Sequence, residues 1–250
     1  MTACQSTSVD TPTGWEGIVT SVIDGDTMEV VQTSGASFAV RLAGINAPEA
    51  DECHFTPARD YLTDVVLGAT VVLETVGTDR FGRTLAFVSV GDIDVNESLV
   101  SRGHAIALTP DPGTPDADRL LKAEEQAAED DRGLWADDAC GAIGPIPPVR
   151  IDGFESNPDG PDDQRLEQEL VVLSNDGDAD IDISNWVLRD ESSLHRHVFE
   201  PGTRLRAGES LTVTSASPSW EPGGGPIWNN AGDLILLTDQ SGRVVDAVRY

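Results

Sequence analysis

The stretch that decides the fold is Arg41-Leu-Ala-Gly-Ile-Asn-Ala-Pro-Glu49, in which a strand runs into a turn fixed by proline. Two other segments accompany it, Val22-Ile-Asp-Gly-Asp-Thr27 upstream and Thr78-Asp-Arg-Phe-Gly-Arg-Thr84 downstream. Both contain glycine beside charged residues and lie between runs rich in β-branched residues, which is typical of turns between strands. We therefore expect the folded chain to gather the three segments around one pocket.

The polar side chains of these segments are of the types that phosphodiester cleavage requires. Arg41 and Arg83 supply planar guanidinium groups that bind phosphate oxygens. Glu49 is a candidate general base for activating water, and Asp26 and Asn46 offer oxygen ligands to a hard cation. Turn aspartates and loop glutamates are often only solvated charges. Arg41 fits that alternative least well, because a buried unpaired arginine in an apolar strand is unfavourable.

In order and spacing, the three segments resemble the motifs of the thermonuclease family, whose best-known members are secreted staphylococcal-type nucleases. The resemblance extends from Trp15 to Trp135, and it includes a D-G-D-T turn and a D-R-x-G-R-x-L-A strand start. It implies a mainly β fold over residues 15–140, an OB-fold barrel of five strands with three helices. It also implies a calcium-dependent endonuclease that cuts DNA and RNA with little sequence specificity and leaves 3′-phosphate ends.

The same resemblance implies a role for each polar residue of the expected pocket. Asp26 and the main-chain oxygen of Ala47 would bind Ca²⁺, and Glu49 would take a proton from the attacking water. Arg41 and Arg83 would hold the phosphate and stabilise the charge that builds in the transition state.

Two departures from the family pattern bear on this assignment. Asn46 stands where the family usually has a second metal-binding aspartate, and its amide oxygen brings no negative charge, so we expect a weaker metal site. This supports an alternative hypothesis, a catalytically impaired protein that binds nucleic acid or cell-envelope polymers. The segment Ile106-Ala-Leu-Thr-Pro110 also lacks the tyrosines on which family members often stack a base.

A second domain follows a linker rich in proline and glycine, predicted at residues 141–148. From residue 149 to residue 250, short strand-like runs alternate with turn residues, which indicates a β-sandwich. Phrases such as Ile183-Ser-Asn-Trp-Val-Leu-Arg-Asp190 and Trp228-Asn-Asn-Ala-Gly-Asp233 resemble the lamin-tail domain, an immunoglobulin-like sandwich. The resemblance implies a non-catalytic adhesion or positioning module whose partner is unknown.

The chain is strongly acidic, with a formal net charge of −28, and Lys122 is its only lysine. Both halves share the charge: the first 150 residues carry 9 basic and 25 acidic residues, and the remainder carry 7 and 19. Such a surface repels nucleic acid at low ionic strength, but at 1 M salt the Debye length is only about 3 Å. The composition therefore suggests a halophilic protein, and charge that serves solubility alone fits the lysine depletion less well.

Residues 1–14 are predicted as a disordered leader or tether. They contain Met1-Thr-Ala-Cys4, which resembles the end of a lipoprotein signal, so a lipid anchor at Cys4 and a chance cysteine are both open. Cys53 and Cys140 would form a disulfide in an oxidising compartment, or would remain two buried thiols otherwise. We expect a monomer that is extracellular or anchored to the outer face of the cell membrane.

Overall fold

The structure, a computed structural model, describes residues 14–109, 117–192 and 194–250. The predicted leader with its Cys4 lies outside these ranges apart from Gly14, so the predicted lipid anchor does too. No helix within the described ranges is long and apolar enough to cross a membrane.

The first domain is built on a closed barrel of five strands. The strands of this domain are β1 Trp15–Val22, β2 Thr27–Gln32, β3 Ser37–Leu42, β4 Ile45–Asn46, β5 Thr70–Thr78, β6 Thr84–Val90, β7 Ile93–Asp94 and β8 Ile106–Ala107. The barrel consists of β1, β2, β3, β5 and β6. Neighbours run in the order β3-β2-β1-β5-β6-β7, and a parallel pairing of β3 with β6 closes the barrel. The strands form where apolar residues alternate: Val71 and Leu73 of β5 are buried, whereas Val72 and Glu74 between and after them are exposed.

Three α-helices cover the barrel, and they are α1 Phe55–Val66, α2 Val95–Ser101 and α3 Ala117–Glu129. The helix α1 buries Ala58, Leu62 and Val66, which lie one turn apart on a single face. Asp94 caps the N-terminus of helix α2, because its side chain accepts a hydrogen bond from the main-chain N–H of Glu97 at 2.9 Å. Short 3₁₀ turns at Gly133–Trp135, Ala139–Gly141 and Asp162–Gln164 are additional.

The second domain is a β-sandwich, which we call the sandwich. Its strands are β9 Val149–Glu155, β10 Leu170–Asn175, β11 Ile181–Asp182, β12 Val187–Arg189, β13 Arg196–Val198, β14 Arg204–Leu205, β15 Ser210–Thr214, β16 Trp220–Glu221, β17 Leu234–Thr238 and β18 Val244–Arg249. A three-stranded sheet, β15-β10-β9, faces a five-stranded sheet, β16-β13-β12-β17-β18, across a core that includes Leu173, Trp186 and Ile235. The architecture confirms the predicted fold class, a barrel with three α-helices followed by a sandwich.

The two domains share an apolar contact. Ile106 and Leu134 of the first domain pack with Leu234 and Leu236 of β17. A disulfide joins Cys53 to Cys140 with a Cα–Cα distance of 5.4 Å, and a Cβ added to Gly242 of the sandwich would lie 2.8 Å from Cys53 Cβ. The sandwich is therefore packed directly against the first domain, beside the turn that holds Glu49.

Candidate active site

Asp26 lies in the turn between β1 and β2, where the residue is only 4% exposed. Its main-chain carbonyl accepts a hydrogen bond from Leu42, which fixes the turn against the end of β3. Its carboxylate accepts hydrogen bonds from the N–H of Ala47 at 2.7 Å and from Thr27 Oγ1 at 3.1 Å. Burial raises the pKa of Asp26 to about 7, although the Arg41 guanidinium acts in the opposite direction.

The glycine of the Asp-Gly-Asp turn is required by close packing. A Cβ at Gly25 would lie 2.6 Å from Ala47 Cβ and 2.8 Å from Ala58 Cβ. The turn therefore fits between the Pro48 turn and helix α1 only because residue 25 has no side chain. This contact holds Asp26 beside the segment that carries Asn46 and Glu49.

Arg41 crosses the space between these segments, and four protein oxygens contact its two outer nitrogens. Its Nη1 donates to the carbonyls of Leu42 and Ile45, both at 2.9 Å. Its Nη2 lies 2.9 Å from Asp26 Oδ2 and 3.1 Å from Asn46 Oδ1. The guanidinium is therefore fixed in place, and it joins the two predicted metal-binding side chains to each other.

Arg83 is held less completely, at the end of the turn between β5 and β6. Its Nε donates to Asp79 Oδ2 at 2.6 Å, and its Nη1 donates to Thr27 Oγ1 at 3.3 Å. The side chain remains 30% exposed. Thr27 links the two halves of the site, because the same hydroxyl donates to Asp26 Oδ1. The sequence motif contains Thr27 but gives no indication of this link.

Glu49 lies on an exposed turn after Pro48, at the rim of an open cleft of about 680 Å³. The cleft is lined by Arg41, Asn46, Glu49, Asp79, Arg80, Phe81, Arg83, Leu108, Ser192 and Leu194. The structure thus brings four predicted site residues to one cleft and places Asp26 beneath it, against Arg41. The last two lining residues belong to the sandwich, a contribution that sequence reasoning missed.

The oxygens at the base of the site fit a hard divalent cation in kind. Asp26 Oδ2 and Asn46 Oδ1 lie near each other, and both already contact the same nitrogen of Arg41, within 3.1 Å. Ca²⁺ prefers six to eight oxygen ligands, so water and phosphate would complete the set. Only one of the two side chains is a carboxylate. Among the described residues, no group of three or more histidine, cysteine, aspartate or glutamate side chains is arranged to hold a metal.

Phe81 provides an aromatic ring that sequence reasoning did not assign. It is 70% exposed at the tip of the turn, and it lines the cleft. The guanidinium carbons of Arg80 and Arg83 lie 4.8 and 5.5 Å from its ring centroid. An exposed aromatic flanked by two cations is suited to stacking on a nucleic-acid base, in a chain that lacks the expected tyrosines near residue 108. In the sequence, this role is indicated by the phenylalanine within the Thr78–Thr84 turn motif.

Comparison with known proteins gives two family matches. The family described as "Staphylococcal nuclease homologue" matches residues 39–137, and "Lamin Tail Domain" matches residues 145–250. An "Uncharacterized endonuclease" of Haemophilus influenzae is 35% identical over 119 residues, which are 48% of this chain and 65% of that protein, slightly under two thirds.

Two further relatives are matched over more of their length. An "Uncharacterized endonuclease" of Escherichia coli O157:H7 is 33% identical over 136 residues, 53% of this chain and 81% of that protein. The "Thermonuclease" of Staphylococcus hyicus is 32% identical over 127 residues, 47% of this chain and 74% of that protein. All three matches cover about half of the present chain.

Proposed function

The chain belongs to the staphylococcal nuclease family and carries a lamin-tail domain, and we propose that it is a calcium-dependent endonuclease. It hydrolyses phosphodiester bonds of DNA, and of RNA, with low sequence specificity. The observation that carries the proposal is the convergence on one cleft of Arg41, Asn46, Glu49 and Arg83 above the buried Asp26. This set supplies a base, two cations and oxygen ligands within one small volume.

In the proposed reaction, Glu49 is the general base. Its turn lies at the open rim of the cleft, where a water molecule can stand between it and a bound phosphodiester. A positioned base contributes about 10²–10⁴-fold to the rate of such a reaction. As the water oxygen bonds to phosphorus, its proton passes to the Glu49 carboxylate, the bond between phosphorus and the 5′ oxygen breaks, and the leaving 5′ oxygen takes a proton from solvent.

The two arginines have different tasks in this proposal. Arg83 has an exposed guanidinium fixed through Nε, so its outer nitrogens can bind phosphate oxygens as charge builds on them. Arg41 already binds four protein oxygens, so it acts mainly by holding Asp26 and Asn46 in place while adding positive charge. A calcium ion held by Asp26, Asn46 and the Ala47 carbonyl would neutralise phosphate charge from a further direction.

The environment of the reaction is part of the proposal. We propose that the protein acts outside the cytoplasm, because a disulfide such as Cys53–Cys140 persists in oxidising compartments. We also propose that it acts at high ionic strength. A formal net charge of −28 repels a polyanion over long distances, and salt removes this repulsion while contacts at the cleft persist.

The test is cleavage of plasmid DNA by the full chain with calcium in molar salt. We expect Glu49→Gln to reduce cleavage at least a hundredfold, and a chelator to abolish it. The matched control is Glu125→Gln, which changes an exposed carboxylate on α3 and should leave the rate unchanged. Full activity in Glu49→Gln would remove Glu49 from the mechanism, and intact DNA with every divalent cation tried would reject the enzyme.

Binding without cleavage is the second candidate, and Asn46 favours it. Its amide lies where a carboxylate would bind the metal more strongly, and its Nδ2 donates to the Glu191 carbonyl of the sandwich at 3.1 Å. If this function holds, the wild-type chain retains DNA uncut in calcium, while Asn46→Asp gains calcium affinity and cleavage. Calorimetric titration of calcium, run beside the cleavage assay, separates the two candidates.

A further inference from the structure

The sandwich reaches the cleft through Glu52, which has partners on both sides. Its Oε2 accepts a hydrogen bond from the N–H of Glu49 at 2.7 Å. Its Oε1 accepts from Arg189 Nη1 at 2.9 Å and lies 2.5 Å from Arg196 Nη1. The N–H of Glu52 also donates to the Glu49 carbonyl at 2.8 Å. Glu52 therefore closes the turn of the proposed base, and two arginines of the sandwich hold Glu52.

Arg189 is the buried charge of this cluster, and it depends on its partner Glu52. Arg189 is 8% exposed, and removing the partner of a buried ion leaves an uncompensated charge. Burial lowers the pKa of the Arg189 guanidinium, with Arg196 acting in the same direction, while Glu52, Asp190 and Glu49 act to raise it. Glu49 is therefore close enough to Arg189 for their charges to interact.

The sandwich also determines how Asn46 faces the site. An amide has one donor side and one acceptor side. Because Asn46 Nδ2 donates to the Glu191 carbonyl, its Oδ1 faces Arg41 Nη2. An aspartate at this position would place an oxygen against the Glu191 carbonyl. The residue that departs from the family pattern is thus the one that a sandwich carbonyl contacts.

Glu191 is itself fixed by bonds between the domains. Its carboxylate accepts hydrogen bonds from the N–H and the hydroxyl of Thr109, at 2.8 and 2.7 Å. Arg249 donates to the same carboxylate at 3.0 Å, and also to Glu124 and to the Ala107 carbonyl at 2.9 and 2.7 Å. The loop that contacts Asn46 is therefore joined to the first domain by several hydrogen bonds.

We propose that the sandwich is a working part of the active site, in which Arg189 and Arg196 are positioning residues that fix Glu49 through Glu52. The inference rests on the proposed nuclease function and extends it to the lamin-tail domain. Neither arginine lies among the residues that line the cleft. They act by restraining the main chain at Glu49 through Glu52. Their loss would therefore loosen the turn that carries Glu49 without removing a reacting group.

The test compares the full-length wild type with Arg189→Met and Arg196→Met. Misplacement of a catalytic group by a released support typically reduces activity about 10- to 100-fold. We expect kcat for DNA cleavage to fall by this factor in both variants, while KM changes less than about twofold because the phosphate-binding arginines remain. Arg196→Lys should recover part of kcat, since it keeps a cation near Glu52. Arg204→Met is the matched control, because Arg204 is an arginine of the same domain with a side chain 65% exposed.

A second readout needs no catalysis. Hydrogen–deuterium exchange should show the Glu49 amide protected in the wild type and in Arg204→Met, and exchanging at least tenfold faster in the two methionine variants. If Arg189→Met fails to fold, Arg196→Met tests the proposal alone, because the wild-type Arg196 side chain is already 26% exposed. Unchanged kcat and unchanged protection in folded variants would overturn the inference and leave the nuclease intact. A wild type that cuts no DNA would reject the proposed function, and the exchange rates would still decide whether the sandwich holds this turn.

Discussion

Two hairpin turns, one in each domain, share the pattern Thr-Asp-x-x-Gly-Arg but have different environments. The first is Thr78-Asp-Arg-Phe-Gly-Arg-Thr84 between β5 and β6, and the second is Thr238-Asp-Gln-Ser-Gly-Arg-Val244 between β17 and β18. In both, the aspartate Oδ1 accepts hydrogen bonds from the N–H groups two and four residues later, and Oδ2 accepts from the arginine Nε. The local sequence thus produces one turn geometry twice.

The turns differ in what surrounds the arginine. The side chain of Arg83 is 30% exposed, whereas that of Arg243 is 5% exposed. Arg243 Nη1 donates to the carbonyls of Asp137 and Gly144, at 3.2 and 2.9 Å. Within the described part of the chain, Arg83 Nη1 meets only the hydroxyl of Thr27. One arginine fastens the sandwich to the end of the first domain, and the other faces the cleft.

The glycines of the two turns show the same contrast. Gly82 and Gly242 have φ values of 84° and 89°, a conformation that favours glycine. A Cβ at Gly82 would meet nothing within 4 Å, whereas one at Gly242 would lie 2.8 Å from Cys53 Cβ. The motif therefore determines the hydrogen bond between the aspartate Oδ2 and the arginine Nε. The groups around the outer nitrogens determine whether the arginine is available to a substrate.

The largest expected effect separates the turns by activity. Arg83→Ala removes a cation that the proposed mechanism places on the phosphate, so we expect kcat/KM for DNA to fall about a thousandfold. Arg83→Lys should recover little, because lysine lacks the forked geometry. Steady-state kinetics in calcium and molar salt provide the measurement, with Arg204→Ala as an exposed arginine control. Activity within tenfold of wild type would make the two turns equivalent in role and remove Arg83 from the site.

The next effect is on stability, where we expect the arginine of the second turn to contribute more than that of the first. Arg243→Ala leaves Asp239 and several carbonyls without their donor in a buried site, so we expect a loss of about 3 kcal/mol in unfolding free energy. Arg83→Ala, at a half-exposed site, should lose less than about 1 kcal/mol. Denaturant unfolding of both variants at one salt concentration makes the comparison. Equal losses would contradict the distinction drawn from their surroundings.

Exchanging the carboxylates for amides tests the shared part of the turns. Asp79→Asn sets an amide N–H against Arg83 Nε, so the guanidinium loses its anchor, and we expect kcat to fall about 10- to 100-fold. Asp239→Asn disturbs the buried Arg243 in the same way, so it should lower stability more than Asp79→Asn does. Steady-state kinetics and denaturant unfolding of the two variants measure kcat and the unfolding free energy. An Asp79→Asn enzyme with wild-type kcat would show that Arg83 needs no anchor.

Sequence reasoning predicted a large part of this molecule because the deciding signals were local. Alternation of apolar residues located the barrel strands, and three ordered motifs indicated which polar residues to expect around one pocket. The family and the order of its two domains are confirmed by the matches to residues 39–137 and 145–250. The catalytic and metal-binding roles of Asp26, Arg41, Asn46, Ala47, Glu49 and Arg83 stay predictions.

The features that sequence reasoning missed depend on contacts between distant residues. Asn46 meets a carbonyl 145 positions away, and Glu52 meets Arg189 137 positions away. Neither partner carries a local motif, and Glu52 is one of many acidic residues in the chain. The two turns show the limit most clearly, because the letters Asp-x-x-Gly-Arg are the same at Arg83 and at Arg243. Only packing distinguishes an arginine that faces the cleft from one that joins the domains.

The smallest expected effect concerns Phe81 in the first turn, where the second turn has Ser241. Phe81 places an exposed ring beside the cleft, whereas the hydroxyl of Ser241 donates to Asp239 Oδ1 at 2.5 Å. Phe81→Ser replaces the ring with the residue that the second turn has at this position. Stacking of a base on an aromatic ring contributes about 1–3 kcal/mol, so we expect KM for DNA to rise about tenfold while kcat stays within twofold. Stability should not fall, because the serine hydroxyl can bond to Asp79 as Ser241 bonds to Asp239. Steady-state kinetics on single-stranded DNA measure the effect, and an unchanged KM would show that the exposed ring contributes nothing to substrate binding.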